Sequence, residues 1–457
     1  MRPFDEMGGW LVKRKTRPVC AALLSALAAL LCTGCSFRFV ASPEDLYTLP
    51  NLPSEYTRLN SRIQQLLNSG MEYTAPLSGA STQNVQLMDL DGDGSQEAIV
   101  FLRNSAEEQP LRIHIFTPVE DDYRQEAVIA GSGSEIYSFN ARDLDADGRP
   151  ELLVGWETGT ETRALSVYSL GEQPQELLRT GYVGYEVEDL AGDGLRELVV
   201  FRTDEQGRGT ADLYVWNEGL KKQSSVMLSA SAVELERGKV VCGALSDGSR
   251  ALFVAGVVDD VLVTDILCVK DGRLTNITAS AYTGMTTEIF RYRELAVQDI
   301  NRDGAADVPA AVLLPNVEGD SGEYFRMDWY CYDTSGVRNH SISTYHSPEK
   351  DWYLELPAAW KDEISVRRTN PGDGETAVTF YRREDVEKPL LRICAISGAE
   401  REQKAVRGNR IILSRQADVI YTAELLAGNA GWGGSVTEDE LRGSFRLVYQ
   451  TWEAGAN

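Results

Sequence analysis

Short segments that alternate between apolar and polar residues dominate the chain beyond residue 85. Leu111-Arg112-Ile113-His114-Ile115-Phe116 and Ala164-Leu165-Ser166-Val167-Tyr168 repeat with period two and are rich in β-branched residues, which predicts strands. Continuous apolar runs at 98–102, 152–154, 198–201, 251–254 and 308–312 interleave with them. Helical spacing occurs at two places. Leu59, Ile63, Leu66 and Leu67 share one face between Ser54, which follows Pro53, and Gly70, a stop signal. Near the other end, Thr437-Glu438-Asp439-Glu440 reads as a capping box. Leu441, Phe445, Val448 and Trp452 then predict one apolar face of a terminal helix. Residues 19–31 are almost wholly apolar and follow Lys13-Arg14-Lys15 and Arg17. That run falls short of the ~20 residues of a membrane span and reads as a secretory signal.

Each continuous apolar run follows a turn, and four of the turns are acidic. Asp89-Leu90-Asp91-Gly92-Asp93-Gly94-Ser95-Gln96-Glu97 precedes the first, and Asp143-Leu144-Asp145-Ala146-Asp147-Gly148-Arg149-Pro150-Glu151 the second. Asp189-Leu190-Ala191-Gly192-Asp193-Gly194-Leu195-Arg196-Glu197 precedes the third, and Asp299-Ile300-Asn301-Arg302-Asp303-Gly304-Ala305-Ala306-Asp307 the last. Their starts lie 54, 46 and 110 residues apart, and a worn copy, Gly243-Ala244-Leu245-Ser246-Asp247-Gly248, divides the long gap. A unit of about 50 residues made of several strands fits the ~40–50 residues of a propeller blade. The expected fold is therefore mainly β: a β-propeller of about five recognisable blades over residues 75–345, followed by a smaller α+β domain over 346–457. Residues 54–74 are the helix and lead-in. In the C-terminal domain, alternation at 364–366, 377–381, 390–394, 411–413 and 419–421 predicts an antiparallel sheet, with the terminal helix packed on it.

The nine-residue turns carry candidate chemistry. Calcium takes six to eight hard oxygen ligands, and alternate carboxylates on a tight loop converge on one point. Positions 1, 3, 5 and 9 supply side-chain oxygens: Asp89, Asp91, Asp93 and Glu97; Asp143, Asp145, Asp147 and Glu151; Asp299, Asn301, Asp303 and Asp307. Loop three keeps Asp189, Asp193 and Glu197 but has Ala191 at position 3, which predicts weak binding at best; loop four retains only Asp247 and should be empty. The glycine at position 6 permits a backbone turn that other residues resist. Position 12 is Val100, Val154 or Ala310 rather than the glutamate of an EF-hand, so the loop leads into a strand. Asp-Gly turns also arise simply because Asx side chains cap their own backbone. Acids recurring at positions 1, 5 and 9 in four copies favour calcium instead, at two to four structural sites.

This acidic block followed by an apolar strand resembles the FG-GAP and VCBS repeats of extracellular β-propellers, over about residues 80–345. Thr33-Gly34-Cys35 at the end of the apolar run resembles the lipobox of bacterial lipoproteins. That resemblance implies that residues 1–34 are removed and that Cys35 is lipidated as the new N-terminus. Residues 35–53, polar and Pro-dotted, then form a tether, and the protein is extracytoplasmic, anchored to a bacterial membrane by its lipid.

Composition narrows the function further. Lys plus Arg number 45 against 69 Asp plus Glu, a net charge of −24. That balance excludes a general nucleic-acid binder and electrostatic docking on anionic lipid. Cys242, Cys268, Cys331 and Cys394 lack CxxC spacing and read as buried free thiols, with a Cys242–Cys268 bridge as the alternative. His114 reads as a structural histidine, and His340 and His346 are too loosely spaced to imply a metal site. Trp156, Trp216 and Trp329 either pack between blades or floor a sugar site. No GxSxG, HExxH or Walker pattern is present. The expected function is a non-catalytic, lipid-anchored, calcium-stabilised binding protein for a protein or glycan of the cell envelope or exterior. The alternative is a polysaccharide lyase or hydrolase built on the same propeller.

Overall fold

The computed structural model describes residues 56–448, apart from 121, 160, 161, 172, 232, 233, 236–238, 292, 293, 348 and 350. The signal, Cys35 and the tether lie outside the described residues. The first helix, Thr57–Asn68, buries Leu59 and Ile63 completely and stops before Gly70, whose φ is +100°.

The rest is mainly antiparallel β-sheet, and among the described residues no sheet closes into a barrel. In sheet I, Glu97–Arg103, Leu111–Val119 and Asp122–Gly131 lie in order, while the short Glu72–Tyr73 and Val85–Met88 share the remaining flank of Glu97–Arg103. Sheet II is a meander of Glu135–Arg142, Glu151–Glu157, Arg163–Ser169 and Gln175–Tyr182; sheet III repeats it with Gly184–Glu188, Glu197–Thr203, Gly209–Trp216 and Leu220–Met227. Sheet IV joins two such meanders. The first is Lys239–Ala244, Arg250–Val258, Val261–Lys270 and Arg273–Asn276; the second runs Val308–Leu313, Phe325–Tyr332, Arg338–His346 and Trp352–Leu356. The short strand Ile289–Arg291 links them by pairing with Val261–Lys270 and Val308–Leu313. Sheet V orders Ile364–Gly372, Glu375–Arg382, Asp385–Ser397, Val419–Leu425 and Ile411–Arg415.

The continuous apolar runs are the second strands, and packing explains why they do not alternate with polar residues. Ile99 and Phe101 of sheet I share a core with Phe139, Val154 and Trp156 of sheet II. The other face of sheet II gives Leu153, Leu165 and Val167 to a core with Leu198 and Val200 of sheet III. Val199 and Phe201 of sheet III then pack with Leu252 and Val254, and Phe253 and Ile266 pack with Val308 and Tyr332. The strands Glu97–Arg103, Glu151–Glu157, Glu197–Thr203 and Arg250–Val258 are thus buried on both faces, at ~1.5–3 kcal/mol per large aliphatic side chain, whereas Val308–Leu313 is buried only over its first half. Gly131 makes room for this stacking, because a Cβ there would lie 2.3 Å from the Trp156 ring.

Two C-terminal features differ from the sequence expectation. The capping box of Thr437 and Glu440 forms, but its helix covers only Glu438–Ser444. Phe445–Leu447 is a strand paired with Trp352–Leu356, and Trp452 lies outside the described residues. The Phe445 ring packs 5.6 Å from Trp352 and 5.7 Å from Tyr421, contacts that another helical turn would forfeit. The expected boundary between residues 345 and 346 also does not coincide with a sheet boundary. Arg338–His346 pairs onward with Trp352–Leu356, and Leu314, Tyr324 and Tyr345 share one core with Trp360, Val366 and Phe380. No described helix is long and apolar enough to cross a membrane.

Candidate metal centres

Each acidic loop joins the first strand of a meander to its second, so the loops occupy equivalent positions. For the last loop, the first strand is reduced to the bridge between Gln298 and Asp307. The position 1 aspartate organises the turn. Asp89 Oδ1 accepts the Gly92 amide at 2.7 Å and Oδ2 the Gly94 amide at 3.0 Å; Asp189 does the same for Gly192 and Gly194. Asp143 and Asp299 accept the amides of Gly148 and Gly304 at 3.1 and 2.9 Å. The position 6 glycines have φ of +88°, +88°, +91° and +94°. Position 4 is left-handed as well, with Gly92 at +76°, Ala146 at +58°, Gly192 at +74° and Arg302 at +63°. That second requirement escaped the sequence reading because two of the four residues are not glycine.

The position 9 acid opens the second strand and reaches back across the loop. Glu97, Glu151 and Glu197 accept the amides of Leu90, Leu144 and Leu190 at 2.8, 3.0 and 2.8 Å, and Asp307 accepts that of Ile300 at 3.3 Å. The position 5 aspartates Asp93, Asp147, Asp193 and Asp303 each accept the amide two residues on. The acids at positions 1, 5 and 9 therefore all serve the turn itself, and their recurrence alone does not separate a metal site from a well-capped loop.

Position 3 is where the loops differ. Among the described residues, ligand oxygens of Asp89, Asp91 and Glu97 lie within 4.8 Å of one another, as do those of Asp143, Asp145 and Glu151. Asp93 and Asp147 stand outside these two groups. Two buried oxygens in them, Glu97 Oε1 and Asp143 Oδ1, have no hydrogen-bond partner. Burial, then the charges of Asp145 and Asp147, push the Glu151 carboxyl up to about 7 despite the Leu144 amide. Burial also raises Glu97 and Asp145. Crowded carboxylates with unpartnered buried oxygens lack a positive charge. An all-oxygen donor set suits a hard cation such as calcium, and the residues present fit one.

The other loops are differently arranged. Loop three has Ala191 at position 3, and burial raises Glu197. In loop five, Asn301 donates its amide to Asp303 Oδ2 at 2.8 Å, and Asp307, raised by burial, accepts from Ser341 as well as from Ile300. In loop four, Asp247 Oδ2 accepts the amide and hydroxyl of Thr334 at 3.0 and 2.9 Å, and Oδ1 accepts the Ser249 amide at 3.0 Å. These bonds, the Thr334 amide foremost, hold its carboxyl down to about 2.

The remaining candidates are structural. Trp156 and Trp329 are fully buried, and Trp216 packs against the core between sheets II and III. His114 is buried, with Nδ1 2.9 Å from Gln125 Oε1; His340 and His346 bond to Ser343 and Thr344. All four described cysteines are free, so no Cys242–Cys268 bridge forms. Burial pushes Cys242 and Cys394 up to about 12 and Cys268 to about 11, far from nucleophilic use. A set of polar and aromatic residues on the first strands of sheets II and III carried no sequence signal, because it is assembled from two segments more than 40 residues apart.

No known family profile matches the chain, and no curated protein does. Among solved structures it is similar to an exotype rhamnogalacturonan lyase, at 13% identity and a TM-score of 0.28, covering 69% of this chain and 71% of that one. A Bacillus licheniformis rhamnogalacturonan lyase matches at 13% identity and a TM-score of 0.27, with the same coverage of 69% and 71%. A protein from Lactobacillus plantarum matches at 10% identity and a TM-score of 0.28, covering 68% of this chain and 83% of that one.

Proposed function

We propose that this protein is a calcium-stabilised β-propeller that binds a protein or glycan outside the cytoplasm, held at a bacterial membrane by lipid on Cys35. One observation carries the calcium reading. Asp89, Asp91 and Glu97, and again Asp143, Asp145 and Glu151, gather within 4.8 Å and leave buried oxygens without partners. The propeller reading is supported by consecutive meanders that stack face to face and turn through equivalent loops. In this reading the ion ties the start of a second strand to the loop before it, and the stacked sheets present a rigid binding surface.

Thermal melts in calcium, in magnesium and in chelator test it. A ligand bound only by the folded state adds RT ln(1 + [L]/Kd), about 2.7 kcal/mol per site at one hundred times Kd. Millimolar calcium should raise the melting temperature and magnesium should raise it less, because magnesium demands stricter octahedral geometry. Coincident curves in all three conditions would show that the loops are turns only. The anchor is tested separately: the N-terminal peptide of membrane-extracted protein should carry acyl mass on Cys35, and Cys35→Ala should retain the precursor mass.

A further inference from the structure

The first strands of sheets II and III border a cleft of about 440 Å³, open to solvent and distinct from the acidic loops. Its size lies within the ~300–1,000 Å³ usual for small-molecule sites. Tyr137, Asn140 and Arg142 come from Glu135–Arg142; Tyr185 and Glu186 come from Gly184–Glu188; Tyr182 closes the end. Several of these side chains are fixed in place. Asn140 Nδ2 donates to the Tyr185 hydroxyl at 2.6 Å, and the Tyr182 hydroxyl lies 3.3 Å from Ser138 Oγ. The Arg163 guanidinium sits 3.8 Å from the centre of the Tyr137 ring. Others keep unused hydrogen-bonding capacity. The Tyr185 hydroxyl accepts from Asn140 and still has its proton to donate, and among the described residues no side-chain hydrogen bond engages Glu186.

We propose that this cleft binds a neutral saccharide unit, with Tyr137 and Tyr185 meeting the apolar face of a sugar ring and Asn140, Arg142 and Glu186 bonding its hydroxyls. The ligand class follows from the lining. Tyrosine combines an apolar ring with a polar tip, and fixed amide, guanidinium and carboxylate groups match alternating hydroxyl donors and acceptors. A polyanion is disfavoured by the net charge of −24 and by Glu186 in the lining, whereas Glu188 is paired with Arg250 at 3.5 Å. Burial pushes the Glu186 carboxyl up to about 7, with Glu188 adding to it, consistent with a group that gains from a hydroxyl donor. The site deepens the binding reading above and rests on it, because in a propeller the first strands line the central axis.

Full-length protein in detergent should be tested by saturation-transfer NMR and titration. The probes are neutral hexasaccharides of glucose, mannose, galactose and xylose, with a galacturonate hexasaccharide as the charged control. At least one neutral probe should bind and the galacturonate should bind more weakly. Tyr137→Ala and Glu186→Gln should each weaken the neutral probe tenfold or more, while both variants keep the wild-type melting response to calcium. Absence of binding to every neutral probe, tighter binding of galacturonate, or binding untouched by both variants would overturn the site. The calcium melts separate the two readings: an intact calcium response without saccharide binding removes the cleft alone. Variant-sensitive saccharide binding without a calcium response removes the metal reading and leaves the cleft.

Discussion

Loops two and four occupy the same place, between the first and second strand of a meander, and lead into the same kind of buried apolar strand. They hold their shape by different means. Loop two draws Asp143, Asp145 and Glu151 within 4.8 Å and leaves Asp143 Oδ1 buried without a partner. Loop four has one carboxylate, Asp247, and both of its oxygens are engaged by Thr334 and Ser249. The connection itself therefore needs no acidic cluster. Position 3 sharpens the point: Asp91 and Asp145 each accept only the amide of position 5, and Asn301 makes the same bond with a neutral oxygen. In loop three Ala191 makes none, and Asp189 accepts the Asp193 amide instead. A negative charge at position 3 is thus surplus to the turn, which is what the proposed cation would use.

The largest expected effect comes from removing that surplus charge. Asp91→Asn combined with Asp145→Asn should abolish the calcium-dependent rise in melting temperature, about 2.7 kcal/mol per site at one hundred times Kd. In chelator the same double variant should be slightly more stable than wild type, by about 1 kcal/mol per loop, because like charges are separated. Protonation acts in the same direction. Glu151 has a folded-state pKa of about 7, above its ordinary value, so its contribution is full below about pH 4.5 and is lost as pH rises through about 7. Melts in chelator should fall over that window, and Glu151→Gln should flatten its share of the slope. The calcium response of wild type should grow over the same window. If the double variant still responds to calcium like wild type, the contrast between loops two and four says nothing about metal.

Loop four predicts the opposite behaviour. Asp247→Ala should lower stability by about 1–2 kcal/mol through lost hydrogen bonds, equally in calcium and in chelator. Its depressed carboxyl gives a contribution present above about pH 4 and lost as pH falls towards about 2. Acid melts of wild type and variant should therefore converge at low pH. The sequence predicts that Asp247 plays no part in calcium binding; its bond to Thr334, 87 residues away, is a tertiary contact that no local pattern reveals.

Strands and loop positions were legible because they obey local rules. Period-two alternation, apolar runs and Asp-Gly turns are written within a dozen residues, and the repeat spacing aligned them. The apolar runs lack alternation because both faces are buried, as Val199 and Val200 show by packing into different cores. What remained hidden depends on distant partners. The capping box at Thr437 is local and formed as expected, whereas Phe445 leaves the helix to join Trp352 and Tyr421. Likewise, positions 1, 5 and 9 of the acidic loops read either as ligands or as caps of their own turn, and the structure shows each of them accepting loop amides.

The smallest expected effect lies in the backbone of position 4. Ala146 and Gly92 share the left-handed conformation, at +58° and +76°, and a Cβ at Gly92 would lie 3.0 Å from the Gly148 carbonyl oxygen. A left-handed non-glycine residue costs ~1–2 kcal/mol. Ala146→Gly relieves that strain but adds conformational freedom to the unfolded chain, worth ~0.4–1 kcal/mol in the other direction. The net gain should be below about 1 kcal/mol. Gly92→Ala meets the strain and the Gly148 carbonyl together, so its loss should exceed about 1 kcal/mol. Since the contact joins loop one to loop two, the variant should also displace the second loop. Isothermal titration should then find calcium binding weakened in loop two of Gly92→Ala, measured in an Asp91→Asn background that disables loop one. Unchanged affinity there would mean that the two loops hold their ions independently.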